Sequence, residues 1–236
     1  MTNKGFGVRK DAAQGSVGSR APHLYSVDQS SGTTCRRMRP LIETKAFPQS
    51  LNGEVARVVS RLVHEEDHQG SGNFCVQVQG ELLEIPNRLH YRSTLLDHAI
   101  EGSELSHQIS ACLGTRHHDG FVRQRCLERL LPVRQPWVVP YVVALLGEYV
   151  LPIIMLIEAH SRSDELGLYG EFLARNTQYL KKTERRVMSY WDAYHRHPYP
   201  QYAQYPGFLA MSALKNAANS AAATIDTDLS NRGVNA

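Results

Sequence analysis

The chain has 236 residues, of which 42% are hydrophobic and 21% charged; this is ordinary globular usage, with enough apolar content for one core. Its formal net charge of +3 at pH 7 is too small to indicate nucleic-acid binding on charge alone. The four cysteines form no C-x-x-C pair, which excludes zinc-ribbon and thioredoxin spacing and favours a reducing, cytoplasmic compartment. The first fourteen residues carry charges but no apolar segment, so we expect no secretory signal.

Residues 1–40 are rich in Gly, Ser, Gln and basic side chains and contain few large apolar groups. Such a segment buries too little surface to offset its ordering entropy. From Met1 to Lys45 there are eight Lys and Arg against three Asp and Glu, so the charge is 8 − 3 = +5. We therefore predict a disordered, basic N-terminal arm over residues 1–40.

We expect residues 41–212 to form a single, mostly helical domain, a compact multi-helix bundle with one small β-hairpin near 74–86. Apolar residues recur at helical spacing in several segments, whereas Phe74 to Ile85 alternate partly with a period of two. Gly80-Glu81 is the predicted turn of the hairpin. The predicted helices cover 51–62, 95–113, a segment capped by Asp119, 168–180 and 183–194. An extended loop is predicted over 197–208, and a flexible tail over 213–236.

A nearly continuous apolar run extends from Trp137 to Ile157 and contains Glu148 near its middle. Its length would suffice for a membrane span, but a central charge is costly in lipid and no basic residues flank it strongly. We therefore predict a helix buried on all sides in the domain. A buried carboxylate needs a cationic partner, and Arg123 or Arg125 on the preceding helix is nearest in sequence. We expect an ion pair between Glu148 and Arg123.

The segment Asp119 to Leu130 (DGFVRQRCLERL) resembles the second helix of HEAT-like repeats. In those repeats an Asp precedes a Val-Arg pair, followed by a small residue and a Leu, and here Asp119, Val122, Arg123, Cys126 and Leu130 occupy these places. The resemblance covers one helix, and no second copy recurs at a period of 30–47 residues. It implies stacked helix pairs and a binding surface rather than catalysis.

His64-Glu65-Glu66-Asp67-His68 fits the bare H-E-x-x-H pattern, in which two histidines one helical turn apart bind zinc. Acidic residues precede the second histidine, where zincins have uncharged ones. The segment Gly70-Ser71-Gly72 ends the helix directly afterwards. We interpret the motif as an acidic, solvated helix end and expect no metal ion.

Two other groups of residues carry chemistry. The segment Arg116-His117-His118-Asp119 combines residue types that bind metals or transfer protons. A metal site or catalytic dyad there would need a partner side chain from elsewhere, such as His90, His98 or Glu148. Because adjacent residues rarely point at one centre, we favour a structural role in which Asp119 caps a helix.

The stretch from Arg185 to His197 interleaves cations and aromatic residues. Its spacing predicts that Val187, Tyr190, Trp191 and Tyr194 pack on the core.

The sequence contains no P-loop, Rossmann or nucleophile-elbow motif, so it assigns no catalytic residue and leans against an enzyme. We expect a helical protein-interaction or scaffold module without a cofactor, whose partner is a protein rather than a membrane. Two alternatives stay open: nucleic-acid binding through the basic arm and the Lys/Arg/aromatic helix, and a metal-dependent hydrolase that uses histidines. The expected binding surface comprises Arg116, His117, His118, Arg125, Arg129, Lys181, Lys182, Arg185 and Arg186.

Overall fold

The computed structural model describes residues 42–62, 72–92, 103–163 and 165–233, which belong to one compact unit. The predicted N-terminal arm and the His64/His68 motif lie outside these residues. The fold class is mostly α, as the sequence predicts: the described residues form eight α-helices and a two-stranded antiparallel sheet. The helices are α1 (Asn52–Val59), α2 (Glu104–Gly114), α3 (Gly120–Leu130), α4 (Val139–Leu146), α5 (Leu151–His160), α6 (Gly167–Arg175), α7 (Thr177–Tyr190) and α8 (Pro206–Gly233).

Strands β1 (Asn73–Val78) and β2 (Glu81–Pro86) form the hairpin, with Val78 opposite Glu81. The loop therefore consists of Gln79 and Gly80, one residue earlier than the predicted turn. Both residues have positive φ, 51° and 88°, as a type I′ turn requires. Side chains alternate along β1 between solvent and core, so the buried face of the hairpin packs on the helices.

Replacing Gly80 by Ala should lower the free energy of unfolding by about 1 kcal/mol, because a Cβ is disfavoured at φ +88° even though no atom lies within 4 Å of it. Gly53→Ala is the matched control: it also meets open space, but it lies in α1, where Ala is favoured over Gly. Urea denaturation measures both changes. A Gly80→Ala variant as stable as Gly53→Ala would contradict the assigned turn.

The apolar run from 137 to 157 does not form the single helix that its composition predicts. It forms α4, whose eight residues are all buried, and α5, with a turn at residues 147–150 between them. Pro140 and Pro152 both occupy the first turn of a helix, where their missing N–H removes no intrahelical hydrogen bond. Glu148 consequently lies in the turn rather than in the middle of a helix.

The boundary between the next two helices also differs from the prediction. The predicted helices cover 168–180 and 183–194, whereas the observed break between α6 and α7 falls at Asn176. Its side-chain amide donates to the carbonyl oxygens of Gln77 and Phe172, and its Oδ1 accepts from the backbone N–H of Gln77. Asn176 thus satisfies the backbone of β1 and ends α6 at the same time. Nothing in the local sequence specifies this contact, since Gln77 is 99 residues away.

The C-terminal segment differs most from the prediction. Helix α8 extends through the predicted flexible tail over 213–236 as far as Gly233, and Leu214 and Ala218 are buried in the core. The segment is rich in alanine, which is the strongest helix former, as well as in small polar residues. A Cβ placed on Gly170 of α6 would lie 2.5 Å from the carbonyl oxygen of Ala217, so the two helices are in backbone contact.

No helix within the described ranges is both long and apolar enough to cross a membrane.

Candidate functional site

Glu148 lies in the turn between α4 and α5, is 1% exposed, and is surrounded by three arginines. Arg88 Nη1 lies 2.8 Å from Glu148 Oε1, and Arg123 Nε lies 2.7 Å from Oε2. Arg116 Nη2 is 3.7 Å from Oε1. The partner expected from the sequence, Arg123, is therefore in contact, whereas Arg125 is exposed. The carboxylate is held from three elements at once, which fixes the turn against α3 and the end of the hairpin.

The two fully buried guanidinium groups also donate to backbone carbonyls. Arg116 donates through Nε to Pro86 (3.1 Å) and through Nη2 to Asn87 (2.7 Å). Arg123 donates through Nη1 to the carbonyl oxygens of residues 117–118. These contacts supply acceptors for two charges that would otherwise be too costly to bury.

A fourth arginine, Arg186 of α7, rests on the same turn: its Nε lies 3.2 Å from the position of a Cβ on Gly147. Burial lowers the pKa of Arg116 to about 10, while Glu148 raises it and the charges of Arg88 and Arg186 lower it. The Arg116 guanidinium therefore carries a proton at neutral pH, and it shares the Glu148 carboxylate with Arg88 and Arg123.

The histidines beside this cluster do not form the predicted binding surface together. His117 is 2% exposed, and both of its ring nitrogens are occupied: Nε2 lies 2.7 Å from the carbonyl oxygen of Tyr91, and Nδ1 accepts the backbone N–H of Asp119. His118 is exposed and stacks on His90 at 4.9 Å. Arg116 and His117 must be removed from the expected surface because both are buried.

Asp119 is the N-cap of α3, as predicted, and accepts the backbone N–H of Phe121 at 2.8 Å. Among the residues that the structure describes, no three His, Cys, Asp or Glu side chains come together in a way that could hold a metal ion. His98 lies outside these residues.

The basic and aromatic helix is α7, and its cations point in two directions. Lys181 and Arg185 line a groove beside α8, whereas Arg186 faces the turn that holds Glu148. Lys182 is exposed and lines neither site. The four residues expected to form one basic face therefore belong to different surfaces, because helical residues one position apart diverge by about 100°.

The predicted apolar stripe of α7 is only partly correct. Val187 is fully buried and Trp191 packs on Tyr202, but Tyr194 is 60% exposed. A π-helical turn over Trp191–His195 adds a residue to the helical repeat, so His195 faces the core in place of Tyr194.

The groove between α7 and α8 has a volume of about 630 Å³. Its apolar surface comes from Met188, Tyr202, Phe208 and Met211, and its rim is basic. Tyr202 and Phe208 meet edge to face at 4.8 Å and form part of the floor. The complete lining is Lys181, Glu184, Arg185, Met188, Tyr202, Phe208, Met211, Ser212 and Lys215.

Charge on the rim is unbalanced. Lys215 is paired with Glu184 at 2.6 Å, whereas Lys181 and Arg185 are exposed and make no ion pair with any residue that the structure describes. Three cations against one carboxylate leave a net charge of +2 around an apolar floor.

The remaining expected surface residues are separate from this groove. Arg125 is exposed on α3, and Arg129 lines a second pocket of about 330 Å³ between α2 and α3 with His107 and Cys126. That pocket has no comparable excess of cations over an aromatic floor.

Sequence reasoning missed Arg88 and the half of the groove that α8 contributes. Arg88 follows the hairpin without any motif, and Phe208, Met211 and Lys215 lie at the i, i+3, i+7 positions of a segment partly interpreted as a tail. The helical spacing of these three residues is the signal that could have identified them.

Comparisons of the chain with protein-family models, with curated proteins and with solved structures gave no match.

Proposed function

We propose that this protein is a protein-interaction module whose groove between α7 and α8 binds an acidic, amphipathic segment of a partner protein. The observation that carries the proposal is the combination of an aromatic and methionine floor with two exposed cations that have no ion-pair partner in the described structure. Methionine and aromatic side chains are typical of surfaces that accept apolar anchors.

The size of the groove suits a short peptide element. A volume of about 630 Å³ accommodates a few apolar side chains, and a helix presents such side chains at i, i+3 and i+4. Burial of apolar area contributes about 25 cal/mol per Å², so each anchoring side chain that enters the groove favours binding. The basic rim then selects acidic flanks and steers their approach.

The thiols of Cys112 and Cys126 are buried close to each other, and burial raises the pKa of the Cys112 thiol. Reduced thiols are typical of a reducing compartment, and we propose that the protein functions in the cytoplasm. The likeness of α3 to a HEAT-like helix stays a prediction that agrees with a binding role.

A fluorescein-labelled helical peptide of about 18 residues, with Leu and Phe one turn apart and Glu on both flanks, should bind in fluorescence polarisation. The double variant Lys181→Glu/Arg185→Glu should weaken binding at least about tenfold, because two attractive contacts become repulsive. Raising the salt concentration from 50 to 500 mM should weaken binding by the wild type.

Lys182→Glu is the matched control, since Lys182 lies on the same helix outside the groove. It should retain the affinity of the wild type. Equal losses in the double variant and in the control would refute the groove as the site. Tighter binding of a labelled dT20 oligonucleotide, with a steep salt dependence, would instead favour the nucleic-acid alternative.

A further inference from the structure

The cluster around Glu148 contains more positive charge than the protein neutralises. Arg88, Arg116, Arg123 and Arg186 contribute +4 and Glu148 contributes −1, so the net charge is 4 − 1 = +3. Among the charged groups of the described residues that act on Arg116, Glu148 is the only carboxylate. Backbone carbonyl oxygens accept hydrogen bonds from several of the N–H groups, but they carry no net charge and so do not balance the remaining positive charge.

Several donors of this cluster have no acceptor within the described residues. Arg116 is 2% exposed, yet its Nη1 makes no hydrogen bond with the described residues. The buried hydroxyl of Tyr179 has no acceptor for its proton there, although the Thr183 side chain lies close enough to lower its pKa. Arg116 and Tyr179 meet at Phe74, since Tyr179 stacks on that ring at 5.3 Å and the Arg116 guanidinium lies 5.8 Å from its centre. Burial raises the pKa of Tyr179 to about 12, so its hydroxyl keeps its proton and can donate.

The cluster is accessible from outside at one edge. Arg88 is 26% exposed at its side chain, and it bonds to the described residues through Nη1, so its Nε and Nη2 have no acceptor among them. Arg186 is half-buried and forms no hydrogen bond with the described residues, although its guanidinium lies against Gly147. Arg88 and Arg186 therefore lie between the buried donors and the solvent.

We propose that Arg88, Arg116, Arg186 and Tyr179 form a binding site for a small oxyanion of the phosphate class. A tetrahedral anion accepts several N–H and O–H donors at once and brings the negative charge that the cluster lacks. The anion is either free inorganic phosphate or the phosphoryl group of a small monoester. This site faces the turn between α4 and α5, and it is independent of the groove between α7 and α8.

Thermal unfolding of the full chain in potassium phosphate and in sodium chloride of equal ionic strength tests the site. A ligand that binds only the folded protein stabilises it by mass action, so phosphate should raise Tm by several degrees more than chloride. Phosphoserine is the second probe: a similar rise shows that the site accepts a monoester, and a rise with inorganic phosphate alone assigns it to the free anion. Equal Tm values in phosphate and in chloride would refute the site.

Arg186→Gln should abolish the phosphate-specific rise, because it removes one donor without breaking a contact to Glu148. Lys182→Gln removes the same charge from the same helix and should leave the rise unchanged. A Tyr179→Phe variant should reduce phosphate binding in isothermal titration while it still unfolds cooperatively. An Arg186→Gln variant that responds to phosphate as the wild type does would overturn the assignment.

Discussion

Replacing Glu148 by Gln should lower the free energy of unfolding by about 3–5 kcal/mol. The substitution preserves shape but removes the only carboxylate in contact with Arg88, Arg116 and Arg123 among the described residues, so it leaves buried cations uncompensated. Chemical denaturation followed by circular dichroism measures the loss. The loss should be much larger than for an exposed pair, because solvent screens exposed charges.

Glu165→Gln provides the comparison, since Glu165 pairs with Arg134 while 60% of its side chain is exposed. Its removal should change the free energy of unfolding by less than about 1 kcal/mol. Combining Glu148→Gln with Arg123→Met should recover part of the loss, because one uncompensated charge is removed together with its partner. Additive losses in that double variant would show that Glu148 and Arg123 do not interact.

Gly170→Ala should destabilise the protein by about 2–3 kcal/mol, although Ala is the better helix former. The added Cβ would lie 2.5 Å from the carbonyl oxygen and 2.9 Å from the carbonyl carbon of Ala217. Both atoms belong to the backbone of α8, so a side-chain rotation cannot relieve the overlap, and the two helices must separate.

Gly167→Ala tests the same residue change on the same helix, where nothing lies within 4 Å of the new Cβ. It should leave the stability unchanged within about 0.5 kcal/mol or raise it slightly. Thermal unfolding of the two variants separates steric overlap from helix propensity. If Gly170→Ala proves as stable as Gly167→Ala, the close packing of α6 on α8 is wrong.

Local patterns determined much of this fold. The period-two alternation predicted the hairpin, the cap at Asp119 predicted the start of α3, and helical spacing predicted α1 and part of α2. These features depend on residues that are close in sequence, so the local sequence is sufficient to predict them. The burial of α4 was also predictable, since its composition leaves it no polar face. The prediction that the whole run is buried on all sides is wrong for its second half, because Tyr149 and Met155 are about half exposed.

Other features depended on contacts between distant residues. The break at Asn176 depends on a hydrogen bond to Gln77, and the helical C-terminus depends on the packing of α8 against α6. A composition rich in Ala, Asn and Ser fits a tail or a helix equally well until a partner surface is present. Tertiary packing thus decided between two locally acceptable structures.

By itself the sequence determined that the protein is mostly helical, that the first half of the apolar run and Glu148 are buried, and that Arg123 is a suitable partner for that carboxylate. Only the tertiary structure added Arg88 and Arg116 to that carboxylate, divided the cations of α7 between two surfaces, and joined α7 and α8 into a groove. The physical reason is that charge balance and groove shape arise where elements from distant parts of the chain meet. Helical and strand periodicities, in contrast, arise within each element.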